Sequence, residues 1–126
     1  MITEDYVSFE TAKLLKEKGF DVYGDGSFNS GIEVVAEYSP SGTFNKCITS
    51  KPHQKAYPAP TLQMVMKWLR EVHKIFLNIN FIQEHFCFTY RIVHNGVEEK
   101  FVVYFSTYEE AADAAIKYCL EHKILI

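Results

Sequence analysis

The sequence carries none of the short motifs that mark a familiar chemistry. It contains no Gly-x-Ser-x-Gly elbow, no phosphate-binding Gly-Lys-Ser/Thr loop, no Gly-x-Gly-x-x-Gly and no His-Glu-x-x-His, so the usual entrances to acyl transfer, nucleotide chemistry and zinc hydrolysis are missing. Cysteine is scarce as well. Cys47, Cys87 and Cys119 are odd in number, widely spaced and form no Cys-x-x-Cys, which argues against a disulfide framework and a zinc ribbon and for reduced, buried thiols. No window approaches the roughly 18 consecutive apolar residues of a membrane span, and the start Met-Ile-Thr-Glu-Asp-Tyr has neither a basic nor an apolar leader region. A cytoplasmic protein without a membrane segment is expected. Acidic residues are absent from Tyr38 to Arg70, where Lys46, Lys51, Lys55, Lys67 and Arg70 give a charge of +5 between ends of −5 and −3. Such asymmetry marks a binding surface, or else the middle pairs with the acidic ends in the fold.

What is present is apolar and aromatic. The chain has 126 residues, 48% hydrophobic and 15% aromatic, far from a disordered composition and long enough for one core burying roughly two-thirds of its unfolded surface. A single domain over 1–126 is expected. Ser8-Phe9-Glu10-Thr11-Ala12 opens a helix that ends at Gly19, with Phe20 folding back on the last turn and Phe9, Ala12 and Leu15 on one face. After a turn-rich segment, Ile32–Tyr38 reads as a strand. Ser39-Pro40-Ser41-Gly42 reverses it, placing Tyr38 opposite Phe44, Val35 opposite Cys47 and Val34 opposite Ile48. Ser50 to Pro60 reads as an extended connection.

A central helix then runs from the Thr61 N-cap to Phe76, with a core face of Leu62, Val65, Met66, Leu69, Val72, His73 and Phe76. Gln63, Lys67, Arg70, Glu71 and Lys74 form its polar arc. Met64, Trp68 and Ile75 form a second apolar group, which is either covered within the domain or open to a partner. A second hairpin turns at Asn95-Gly96, a type I′ pair, setting Tyr90 opposite Phe101, Phe88 opposite Val103 and Phe86 opposite Phe105. Arg91 falls beside Lys100 and diagonal to Glu98. The capping box Thr107-Tyr108-Glu109-Glu110 starts a last helix to about Glu121, with Ala111, Ala112, Ala115 and Cys119 as a packing stripe. The order α-β-β-α-β-β-α specifies an α+β fold: two antiparallel hairpins, expected in one antiparallel sheet, packed against three helices.

Candidates for chemistry are sparse. Cys119 and His122 share a helix face without further ligands. Asp21, Asp25, Asn29 and Glu33 are oxygen-rich but lack the alternation of a calcium loop. Glu84-His85 would point to opposite faces of a strand. No catalytic residue, cofactor site or metal site is therefore assigned. The last helix resembles the closing helix of double-stranded-RNA-binding domains, yet Glu109, Glu110 and Asp113 stand where a phosphate-contacting helix needs lysines.

Three blocks, Glu4–Asp21, Ala59–His73 and Tyr108–Glu121, together resemble a family of small uncharacterised proteins of gut Bacteroidales and their phages and mobile elements. The resemblance implies a bacterial or phage cytoplasmic setting, and it carries no activity, cofactor or functional residue. The leading expectation is a non-enzymatic protein-binding or assembly module, a homodimer or a partner complex, with Met64, Trp68 and Ile75 as the candidate patch. The alternative is anion or nucleic-acid binding through segment 46–74, on Lys51, Lys55, Lys67, Arg70 and Lys74.

Overall fold

The computed structural model describes residues 5–20, 36–45, 57–101 and 103–124. The chain is α+β, with the elements α1 (Phe9–Glu17), β1 (Glu37–Tyr38), β2 (Phe44–Asn45), β3 (Tyr57–Pro58), α2 (Leu62–Val72), β4 (Ile75–Ile82), β5 (Cys87–His94), β6 (Val97–Lys100) and α3 (Tyr108–His122). The strands form two antiparallel three-stranded sheets, ordered β2-β1-β3 and β4-β5-β6, in place of the expected single sheet. Each expected hairpin gains a strand. In the first sheet it is β3, inside the segment expected to be an extended connection; in the second it is β4, which begins where the central helix was expected to finish.

The helix starts follow local chemistry. Ser8, Thr61 and Thr107 each accept a hydrogen bond from the backbone N–H three residues on, at 3.3, 3.3 and 3.1 Å, satisfying one otherwise unpaired helical donor. At the end of α1, Gly19 takes φ +91 while the Phe20 N–H donates to the Leu15 carbonyl at 2.9 Å, closing a Schellman turn. That turn delivers the Phe20 ring into the core, where it meets Trp68 edge-on with centroids 5.1 Å apart.

The central helix stops at Val72 rather than Phe76. His73 is its C-cap, and Lys74 adopts φ +57, which turns the chain into β4. From Ile75 the side chains alternate with period two, so Ile75, Leu77 and Ile79 face the core while Phe76 and Asn78 face outward. Val72 and Phe76, expected in the core, are therefore exposed.

Tyr38 does pair with Phe44, and Gly42 takes φ +94 in the intervening turn. The other expected pairs of that hairpin lie outside the described residues. In the second sheet the Asn95-Gly96 turn sets Arg91 opposite Lys100, with Arg91 donating to Glu98 at 2.9 Å. Past Lys100 the register slips: Phe88 exchanges two backbone hydrogen bonds of 2.8 Å with Phe105 instead of facing Val103. Phe86 is not in the strand at all. It occupies the β4–β5 turn at φ +50.

One cluster of buried residues joins the helices to the second sheet. Leu62, Val65, Trp68 and Leu69 of α2 and Ala112, Ala115, Ile116 and Cys119 of α3 pack with Ile75 of β4 and Tyr90 and Ile92 of β5. Small residues at 111, 112 and 115 are fully buried and let α3 lie close against the sheet. α1 docks on α3 through polar joinery. Asp113 accepts from the Ser8 N–H (3.0 Å), the Ser8 hydroxyl (2.9 Å) and the buried Thr11 hydroxyl (3.1 Å), and Lys117 donates to Glu10 at 2.7 Å.

Candidate functional site

The apolar group proposed on the central helix is mostly covered. Trp68 is 4% exposed and Ile75 fully buried, leaving only Met64 with partial exposure. Phe20 from the end of α1 and the His73 ring, 4.6 Å from the indole, cover Trp68. This is the coverage within the domain that the sequence left open beside a partner surface. Burying two such side chains supplies roughly 1.5–3 kcal/mol each, so this face is scaffold.

The cationic residues of α2 fare differently. Lys67, Arg70 and Lys74 are exposed, and Lys74 Nζ donates to the Glu71 carbonyl at 3.0 Å, neutralising the helix C-terminus. Lys51 and Lys55 lie outside the described residues, so the strip is placed only in its α2 part.

The residues considered for catalysis or metal binding do not assemble. Burial pushes the Cys119 thiol up to about 12, and His122 is exposed with its ring against Tyr118 at 4.5 Å. Glu84 and His85 are both exposed in the β4–β5 turn, where the His85 ring lies 6.3 Å from that of Tyr104. A groove of about 490 Å³ opens beside the starts of α1 and α3, rimmed by Asp5, Glu10, Glu109, Glu110 and Asp113. Two of its charges are in structural use: Asp113 holds Ser8 and Thr11, and the bond to Lys117 keeps the Glu10 carboxyl below the usual carboxylate range. Among the described residues no three His, Cys, Asp or Glu side chains stand together in a metal-binding arrangement.

The unexpected feature lies along β4. Large apolar side chains are exposed at Val72 (49%), Phe76 (47%), Phe81 (50%) and Phe86 (79%), that is, at both ends of the strand and along it. Toward the β4–β5 turn the core face continues as a cluster of exposed Phe81, exposed Phe86 and half-buried Phe88, with ring pairs 6.0 and 5.2 Å apart. Tyr108 at the start of α3 reaches only Phe88, at 6.3 Å. Val103 and Tyr104, which follow β6, are exposed as well. The available sequence signal was the alternation Ile-Phe-Leu-Asn-Ile-Asn-Phe-Ile at 75–82, a β pattern free of charge, proline and glycine. Among the described residues no helix is long and apolar enough to cross a membrane. No protein-family model, curated protein or solved structure matches the chain.

Proposed function

We propose that this chain is a small non-enzymatic protein-binding module that docks through the β4 margin of its second sheet. The observation that carries this reading is the exposed aromatic pair Phe81 and Phe86 at the β4–β5 end of the second sheet, with Phe76 exposed on the opposite face of the same strand, an arrangement that marks interaction surfaces. The docking surface thus moves from Met64, Trp68 and Ile75 to the neighbouring strand. The double substitution F81S/F86S tests it. Both side chains are at least half exposed, so far-UV circular dichroism and thermal unfolding of the monomer should stay near wild type. Association, measured by sedimentation of the isolated chain and by quantitative affinity enrichment, should be lost. If neither self-association nor a partner depends on Phe81 and Phe86, the reading fails.

A second reading, anion or nucleic-acid binding through segment 46–74, draws support from the exposure of Lys67, Arg70 and Lys74 on α2. It requires affinity for DNA or RNA that falls steeply with salt and is abolished by K67E/R70E. Retention unchanged by that charge reversal in a mobility-shift titration would remove it.

A further inference from the structure

We infer, resting on the binding-module reading, that the partner on the β4 margin is a second copy of this chain, paired antiparallel along β4 about a two-fold axis at Ile79. The first step concerns edges. Of the outer strands in the two sheets, β3 includes Pro58, and β6 has four residues with Glu98, Glu99 and Lys100. Short length, proline and charge are devices that block strand addition. β4 has none of them. It presents eight residues without a charge, proline or glycine, and no described residue pairs with its outer edge. At about 3.4 Å per residue that is about 27 Å of edge, open to β-augmentation.

The second step selects the occupant. About Ile79 the strand is close to a palindrome. An antiparallel copy sets Asn78 opposite the partner's Asn80, Leu77 opposite the partner's Phe81 and Phe76 opposite the partner's Ile82. Each face keeps its character: on the outer side amide meets amide and Phe76 meets Ile82, and on the core side apolar meets apolar. The ends complement one another too. The two-fold brings the start of each β4, preceded by the cationic Lys74, beside the end of the partner's β4, followed by the acidic Glu84. An isologous interface repeats every such contact twice. The two sheets would join into one of six strands, doubling the three of each copy.

Charge placement at Asn78 and Asn80 tests both the dimer and its register. Asn78 is exposed and lies across from Arg91, so a carboxylate there is compatible with the monomer fold. In sedimentation velocity at micromolar concentrations the wild type should be a dimer. N78E/N80E places carboxylates opposite carboxylates and should weaken it at least about tenfold. N78E/N80K pairs each introduced carboxylate with an introduced ammonium of the partner and should restore the dimer. A monomeric wild type, a dimer indifferent to N78E/N80E, or a failure of N78E/N80K to restore it would overturn the inference. Should N78E/N80E not fold, the same logic runs at the ends: K74E weakens the dimer and K74E/E84K restores it, and absence of that rescue is equally decisive. A monomeric wild type that still holds another protein through Phe81 and Phe86 overturns only the inference, whereas a monomer that holds none ends the binding-module reading as well.

Discussion

Phe86 concentrates the argument at the scale of a single residue. Its φ of +50 lies in the left-handed region, which costs a side chain with a Cβ roughly 1–2 kcal/mol. Asparagine occupies that region readily, as Asn95 does at φ +54 in the next turn. Burial does not offset the strain, because Phe86 is 79% exposed and among the described residues its one ring contact is the edge-on approach to Phe81 at 6.0 Å, worth about 0.5–1.5 kcal/mol. Strain held at an exposed aromatic fits the docking role proposed for this end of the sheet. F86N should therefore stabilise the dilute monomer by roughly 0.5 kcal/mol, the difference between those two magnitudes, while weakening self-association. Urea unfolding at low concentration, followed by the fluorescence of the only tryptophan, Trp68, gives the first quantity and sedimentation the second. A variant less stable than wild type would show that Phe86 serves the fold.

At the scale of elements, legibility divided along a physical line. Helix starts were readable because Ser8, Thr61 and Thr107 act through bonds to residues three positions away, and the first C-terminus because Gly19 suits its φ of +91. The end of α2 was not readable. Leu69, Val72 and Phe76 keep the helical spacing across the boundary, and the residue that breaks the helix is a lysine in the left-handed region, with nothing in its chemistry to announce it. Reading the helix through to Phe76 hid the first residues of β4, and with them the third strand of the sheet and its open edge. The slip of register after Lys100 was equally silent. Asn95-Gly96 fixes the pairs nearest the turn, and the change that brings Phe105 to Phe88 occurs farther along, where contacts to Tyr90 and Tyr108 decide.

Exposure belongs to the whole molecule, which is why the candidate surface was legible as composition and not as place. Whether Trp68 or Phe81 is covered depends on Phe20 arriving from α1 and on where α2 and α3 stop over the sheet. Protonation equilibria of the assembled core can be followed in the same whole-molecule sense. Burial, aided by nearby His94, lowers the pKa of His73, and the bond from Lys117 lowers that of Glu10. For both, the unfolded chain takes up protons first as pH falls, so stability present above their ordinary values of 6.5 and 4.5 is lost on the acid side. Cys119 acts in the opposite sense. With its thiol pushed from 9.0 up to about 12 by burial, the unfolded chain releases a proton that the native core retains, so stability falls as pH rises through that interval. Tyr38 and Tyr90, also raised by burial from 10.0, extend the fall at higher pH. The urea midpoint should therefore be level between roughly pH 6.5 and 9 and decline on both sides. C119A lowers the midpoint throughout by removing a buried side chain, but it should delay the alkaline decline to the tyrosine range. An alkaline limb that begins at the same pH in wild type and C119A would show that the Cys119 thiol ionises in the native core as freely as in the unfolded chain.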